Sequence, residues 1–285
     1  MNIAFLGTGR MGTELALHLL RDHDLVVWNR TAARTQRLAD AGARLAASPS
    51  EAVEGADIVV TALFGPDAVR EIVTGPGLIP GGVPWVDTTT VSPSDADEFA
   101  AAVESYVAVP VVGTLGPARA GMLGVYVGCA DEQRRAQVAD LVAPWADPER
   151  LRPVATARAA ATGKLLANLA LAVSAQGLRE ALTLGRALGA DEADVLWMLE
   201  RTGLSFLAGM KGPFVLGERD SADGDFTVDA IAKDARLMIE SVDAGGDALP
   251  ALAAALTSLA AEQSAGRGDH DFSAMLLRDA SPDHT

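Results

Sequence analysis

An α/β chain in two parts is predicted by two observations. Apolar, strand-like runs alternate with helical patterns up to about residue 156, and beyond it only helical patterns remain. A third observation concerns the junction, where Ala157 to Leu188 reads as one long helix rich in alanine and leucine. The first thirty residues specify the sheet. An apolar run, Ile3 to Leu6, leads into Gly7-Thr8-Gly9-Arg10-Met11-Gly12, then a helical pattern, then a second apolar run, Leu25 to Trp28. Strand, GxGxxG, helix and strand in that order make a dinucleotide-binding fingerprint. The expected fold is therefore an N-terminal Rossmann-type doubly wound parallel sheet (1–156) followed by an all-α C-terminal domain (157–285), joined by a long interdomain helix.

The elements follow in order. Thr31 to Ala41 reads as a helix with Thr31 as its N-cap, and Ala43 to Ala46 as a short strand. Ser48-Pro49-Ser50-Glu51 starts the next helix with a cap and an acidic first turn. Asp57 to Leu63 is a continuous apolar strand of the parallel kind, ending near Phe64 where open α/β sheets bind ligands. Helix resumes from Pro66 to Val73. Trp85 to Asp87 is a strand ending in Thr88-Thr89-Thr90, which is either a ligand-facing hydroxyl cluster or the cap of a helix at Pro93. Tyr106 to Val112 is apolar and is broken at Gly113-Thr114; Leu123 to Gly128 is a strand, Asp131 to Trp145 a helix, and Arg152 to Val154 a last short strand. In the helical part, breaks are expected at Gly203, Gly212-Pro213, Ser221 to Gly224 and Gly245-Gly246; Asp191, Glu192 and Asp194 mark a helix N-terminus, and Ala280 to Thr285 reads as disordered.

The fingerprint glycines have separate tasks. Gly7 allows a tight turn, Gly9 lets the backbone approach a pyrophosphate, and Gly12 lets the helix pack against the strand. Thr8, Arg10 and Met11 share the loop, whose helix offers unpaired N–H groups to phosphate. At the end of the second strand an Asp or Glu would accept bonds from the ribose 2′-OH of NAD. Asn29, Arg30 and Thr31 stand there instead, with Arg34 a turn later. A guanidinium pairs with a 2′-phosphate, so NADP(H) is expected over NAD(H).

Composition narrows the partners. A net charge of −15 over 285 residues gives no basic face for nucleic acid or an anionic membrane, so the expected partner is a small-molecule substrate. Cys129 is the single cysteine, and the histidines show no ligand spacing, so no metal is expected and the chain reads as cytoplasmic. No apolar run is long enough to span a bilayer.

Hydride transfer at a carbonyl needs a group that handles the oxygen's proton. Lys164 and Asn168 are four residues apart in Gly163-Lys164-Leu165-Leu166-Ala167-Asn168 and share a helix face. A lysine in that apolar setting either snorkels to the surface or works in a cleft with a depressed pKa. Lys233-Asp234, by itself, is an ordinary charged turn of helix.

Taken together, these segments resemble the β-hydroxyacid dehydrogenase family, which includes 3-hydroxyisobutyrate dehydrogenases and tartronate semialdehyde reductases. The resemblance runs from Gly7 to about Ala274 through GTGRMG (7–12), DTTTVSP (87–93), PVVGTLGPARAGML (110–123), GKLLAN (163–168), EALTLGRALGA (180–190) and FTVDAIAKDA (226–235). It implies that Lys164 is the general acid/base and that Asn168 orients substrate. Leu63, Phe64 and Thr90 then line the cofactor, and Lys233 closes over the site. It also implies a homodimer through the helical domain. Where the family carries Ser-Gly-Gly to hold a substrate carboxylate, this chain has Val112-Gly113-Thr114, and Phe64 replaces a common proline. Those departures favour a bulkier or less charged substrate. Imine reductases share the fold and often read WNRT, as Trp28 to Thr31 does here, but usually replace the lysine with Asp or Tyr. A reductase of C=N bonds and a non-catalytic NADPH-binding sensor are the alternatives.

Overall fold

The computed structural model describes residues 1–243 and 245–277, so the expectation for Ala280 to Thr285 lies outside the described residues. Contacts divide the chain into two compact units, Met1–Leu166 and the remainder from Ala167 onward.

The first unit is built on β1 (Asn2–Leu6), β2 (Asp24–Trp28), β3 (Arg44–Leu45), β4 (Ile58–Thr61), β5 (Trp85–Asp87) and β6 (Tyr106–Ala108). They lie side by side in the order β3-β2-β1-β4-β5-β6, and every neighbouring pair is parallel. Parallel strands need crossover connections, which α1 (Arg10–Leu19), α2 (Gln36–Asp40), α3 (Pro49–Val53), α4 (Pro66–Val69) and α5 (Pro93–Ala102) supply. The order reverses direction between β1 and β4, and ligands bind such sheets at the carboxyl ends beside that point. Beyond β6 the chain doubles back. β7 (Val111–Val112) and β6 pair antiparallel with β8 (Leu123–Gly128), and β9 (Ala146–Val154) adds parallel to β8. Short α6 (Leu115–Ala120) and α7 (Glu132–Val142) complete the unit.

The apolar runs are continuous because both sheet faces are covered. Ile3 and Phe5 pack with Leu15, Val27 and Trp145 on one face, while Ala4 and Leu6 pack with Val69, Trp85 and Phe99 on the other. On the second face Trp85 stacks against Tyr106 with ring centroids 4.6 Å apart. In the remaining chain, α8 (Ala157–Ala187) begins in the first unit and continues into the second. It is followed by α9 (Glu192–Leu199), α10 (Ser205–Val215), α11 (Val228–Asp243) and α12 (Pro250–Ser264). The first turns of α8 pack closely on β8. A Cβ on Gly128 would stand 2.4 Å from the Thr156 carbonyl oxygen, and one on Gly163 would stand 2.7 Å from the Tyr126 ring. That packing is why the contact division falls inside the helix.

Local details differ from the expectations, each for an identifiable reason. Thr31 occupies an N-cap position without accepting a side-chain cap bond, and the segment after it is a 3-10 turn (Ala32–Thr35) before α2. The apolar run from Asp57 to Leu63 keeps strand geometry only to Thr61, because the Leu63 N–H donates to the Thr89 side chain rather than to a neighbouring strand's carbonyl. Helix α4 runs on into a π turn (Arg70–Thr74). Gly113-Thr114 leads into α6, a helix too short for its periodicity to show in the sequence. The last strand is nine residues rather than three, because Ala146 already pairs with Leu123 and, after a shift in register, Leu151 to Val154 pair with Val125 to Gly128. Gly212-Pro213 does not break α10: a proline near the end of a helix costs one hydrogen bond, and the helix stops at Val215.

Two of the three threonines, Thr88 and Thr89, bond to β4 and the chain leaving it. Ser92, with Asp95 in a reciprocal capping box, caps α5, so the threonines do not. Instead Thr61 Oγ1 donates to Asp87 Oδ1 (2.7 Å) and accepts from Trp85 Nε1 (2.9 Å), while Thr88 Oγ1 donates to the Thr61 carbonyl (2.9 Å). Asp87 also accepts from the Thr89 N–H (3.0 Å) and the Tyr106 hydroxyl (3.3 Å). Burial pushes its carboxyl from 3.8 up to about 6, against the lowering effect of those donors. Between those two values the folded chain binds the Asp87 proton more tightly than the unfolded chain does, so this group's contribution to stability falls as pH rises through the window. We expect the stability of wild type relative to Asp87→Asn, measured by urea unfolding, to fall by about 1 kcal/mol between pH 5 and pH 7.5. A pH-independent difference would contradict the assignment.

Candidate functional site

The carboxyl end of β1 is a turn that only glycine can make. Gly7 has φ 97°, its N–H donates to the Trp28 carbonyl at 2.8 Å, and a Cβ there would stand 2.4 Å from the Ala62 carbonyl oxygen. Gly12 is closed off in the same way, since its Cβ would stand 2.1 Å from the Gly7 carbonyl oxygen. Gly9 is different: a Cβ there would meet nothing within 4 Å. Two glycines therefore serve the fold, and the third keeps a surface open beside the start of α1. Gly9 is the N-cap and has no side chain to satisfy the first N–H groups of that helix. Beside it the Thr8 hydroxyl is buried without a hydrogen-bond partner. An open backbone surface, a helix N-terminus and an orphaned hydroxyl fit a dinucleotide pyrophosphate.

Asn29 serves the chain itself. Its Oδ1 accepts from the Thr8 N–H (3.0 Å) and its Nδ2 donates to the Thr31 carbonyl (2.9 Å), locking the end of β2 to the glycine turn. Arg30 and Arg34 are exposed beyond it, and neither has a carboxylate partner among the described residues. Arg10 is exposed and Met11 half-buried on the first turn of α1. Across the reversal of strand order, the Leu63 N–H donates to Thr89 Oγ1 (3.0 Å), which fixes the chain after β4. Phe64 follows with 60% of its surface exposed, and Thr90 is half-buried at the end of β5.

The segment Val112-Gly113-Thr114 links β7 to α6. Gly113 has φ 144° and is exposed, and Val112 and Thr114 are half-buried. Thr114 stands at the N-cap of α6 without making a side-chain cap bond. Lys164 lies half-buried on α8, directly after the glycine that receives the Tyr126 ring.

One turn further along α8, Asn168 is buried and donates through Nδ2 to Asp234 Oδ2 at 2.5 Å. The other oxygen of Asp234 accepts from Lys233 Nζ at 2.5 Å. Two candidates from the sequence, Asn168 and Lys233, thus meet on a carboxylate the sequence reading passed over. A carboxylate on the apolar stripe of α11, between buried Ile231, Ala235 and Met238, is the signal that could have found it. An ionised carboxylate only accepts, so Asp234 also decides which end of the Asn168 amide turns away from it. Among the described residues no cluster of His, Cys, Asp or Glu could hold a metal ion, and no helix is long and apolar enough to cross a membrane.

Comparison with known proteins fits this geometry. Residues 2–150 match the model of the NAD binding domain of 6-phosphogluconate dehydrogenase, and residues 159–278 match that of the NAD-binding region of NADP-dependent 3-hydroxyisobutyrate dehydrogenase. The chain belongs to the β-hydroxyacid dehydrogenase family. This dehydrogenase-family chain is 31% identical to a probable 3-hydroxyisobutyrate dehydrogenase-like protein of Arabidopsis thaliana, over 96% of its own length and 84% of that protein's. Mycobacterium tuberculosis 3-hydroxyisobutyrate dehydrogenase, solved with L-serine, superposes with a TM-score of 0.82 at 27% identity, covering 96% and 97% of the two chains. A reductive aminase of Aspergillus terreus, solved with NADPH, shares the fold with a TM-score of 0.63 at 22% identity over 96% and 98%. The molecule is accordingly an NAD(P)-binding oxidoreductase of the 3-hydroxyisobutyrate dehydrogenase type.

The three glycines separate folding from binding. Gly9→Ala is expected to leave the thermal midpoint within roughly 3 °C while weakening dinucleotide affinity by at least about tenfold. Gly12→Ala is expected to destabilise the fold by roughly 1–3 kcal/mol through overpacking. Calorimetry and titration with NADPH on both variants check this, and equal loss of stability in the two would contradict it.

Proposed function

We propose that this chain is an NADP(H)-dependent oxidoreductase that exchanges a hydride with the hydroxyl or carbonyl carbon of a small or medium acid or aldehyde, with Lys164 as general acid/base. The observation that carries the choice of cofactor is the pair Arg30 and Arg34, exposed at the end of β2 without carboxylate partners among the described residues. With Asn29 held by Thr8 and Thr31, these guanidinium groups, the Thr31 hydroxyl and the remaining N–H of the Asn29 amide are what a 2′-phosphate would meet. Gly7, Thr8, Gly9, Arg10, Met11 and Gly12 would cradle the pyrophosphate, with Leu63, Phe64 and Thr90 lining the cofactor beyond it.

When bound, the nicotinamide supplies or accepts the hydride. In the reducing direction the Lys164 ammonium donates its proton to the substrate oxygen; in the oxidising direction the neutral amine takes the hydroxyl proton. Asn168, its amide held by Asp234, turns its carbonyl oxygen to the substrate and accepts from a hydroxyl. Lys233, held by the same carboxylate, closes over the bound molecules. The Gly113 backbone and the Thr114 hydroxyl hold the substrate's acidic end. Val112 presents an apolar surface in place of a donor, which favours substrates with less charge or more bulk than a short hydroxyacid. The helical unit exposes Leu188, Trp197, Met198 and Phe206, by 59% to 77% of their surfaces, and this supports a homodimer formed through that unit.

A reductase of C=N bonds is the second reading. Its support is Val112 together with the run Trp28 to Thr31, and in it Lys164 would contribute little to proton delivery. Oxidation of NADPH against semialdehydes, keto acids and cyclic imines, with NADH as competing cofactor, separates the readings. We expect turnover on carbonyl substrates and a fall of at least about a hundredfold in Lys164→Ala. Turnover confined to imines, or a variant that keeps its rate, would sink the role given to Lys164. Tight NADPH binding with no turnover on any panel would point to a sensor.

A further inference from the structure

One buried acid in the nucleotide-binding unit belongs neither to the strand ends nor to the glycine turn. Glu14 lies on α1, two residues past Gly12, and its side chain is 5% exposed. A carboxylate so enclosed requires partners, and it has two. Arg37 reaches it through both terminal nitrogens, at 2.9 and 3.4 Å, and Arg119 through Nε at 3.2 Å. Burial pushes the Glu14 carboxyl up, but the bonds and charges of Arg37 and Arg119 outweigh it and hold the group below the ordinary carboxylate range.

Each arginine leads to a different part of the site. Arg37 is the second residue of α2, immediately after the 3-10 turn that carries Arg34. Arg119 is on α6, whose first residue follows Thr114. One turn along α1, His18 Nε2 bonds the Ala118 carbonyl at 2.8 Å, so the same helix face grips α6 a second time. The carboxylate therefore ties the pyrophosphate helix to the segment bearing Arg30 and Arg34. It also holds Arg37 against α1.

We propose that Glu14 is a specificity-determining positioning residue: through Arg37 it fixes the segment that carries the cations for the 2′-phosphate, and so sets the preference for NADPH over NADH. The proposal rests on the reading that Arg30 and Arg34 receive that phosphate. Without the Glu14 carboxylate α2 loses its charged tether to α1, and the two exposed guanidinium groups lose their fixed spacing. NADH makes no use of that spacing. The pyrophosphate turn itself, held by Gly7 and Gly12, does not depend on the tether.

The test is equilibrium binding of NADPH and NADH, with thermal melts, for wild type, Glu14→Gln, Arg37→Ala, Arg37→Lys, the Glu14→Gln/Arg37→Ala double variant and Arg30→Ala. We expect Glu14→Gln and Arg37→Ala each to weaken NADPH about fivefold or more with NADH changed less than about twofold, and the double variant to do no worse than either single change. Arg37→Lys, which keeps the charge, is expected to restore much of the ratio. Arg37 is largely exposed, so Arg37→Ala decides the matter even if Glu14→Gln folds poorly. Equal weakening of both cofactors, or a lowered melting temperature with an unchanged ratio, would show a merely structural carboxylate and overturn the proposal. If Arg30→Ala lowers the ratio and Glu14→Gln and Arg37→Ala do not, Glu14 is excluded while the phosphate reading stands. If Arg30→Ala leaves the ratio unmoved, the phosphate reading fails and takes the proposal with it.

Discussion

The nucleotide-binding unit depends on one steric constraint, the convergence of three stretches of backbone where the strand order reverses. The turn after β1 lies against the chain leaving β4, and α1 lies against the turn, at distances that leave no room for a Cβ on Gly7 or Gly12. Close approach of this kind is favourable only when every polar group in it is satisfied. Gly7 accordingly donates to Trp28, Ala62 to Leu6, and Thr13 through its hydroxyl to the Thr8 carbonyl. The Thr8 hydroxyl and the open face of its neighbour Gly9 are what this arrangement leaves over. The same packing that closes the fold thus creates the surface a phosphate can use.

What the sequence made legible follows from interactions local along the chain. Strands buried on both faces read as unbroken apolar runs, and Gly7, Gly9 and Gly12 have backbone roles that no neighbour can replace. The long helix from Ala157 declared itself by composition and length, and the end-to-end set of motifs pointed to the family that the comparisons then showed.

The parts that were not legible are contacts between residues far apart in the chain. Asp87 looked like the end of a strand, yet it is held by Thr61, Thr89 and Tyr106. Nothing in the sequence around Glu14 marks it, since its partners lie 23 and 105 residues away. Asp234 looked like half of a charged turn, yet it meets Asn168 across 66 residues. An acid's sequence neighbourhood says little about whether it is solvated or enclosed, because the deciding guanidinium, hydroxyl or amide arrives with another element. Thr88 and Thr89 were not legible for a related reason: a hydroxyl at a strand's end can cap a helix, face a ligand or bridge to the next strand, and the register of β4 against β5 gives these two the bridge.

The enclosed acids also resolve an electrostatic difficulty. A chain carrying a net charge of −15 repels a polyanionic cofactor at long range, and salt screens that repulsion over about 8–10 Å. Within that distance the local inventory of charge decides binding. Glu14 is already neutralised by Arg37 and Arg119, and Asp87 is buried with its carboxyl pushed up to about 6. Glu14, therefore, sets little net negative charge against the cofactor, whereas Asp87 ionises above about pH 6 with its charge enclosed by the Thr61, Thr89 and Tyr106 donors. Arg30 and Arg34 stand at the strand end without such partners among the described residues. The unit can then attract phosphate on a molecule that as a whole repels it, because Glu14 is compensated by its two arginines while Arg30 and Arg34 have no carboxylate partner among the described residues.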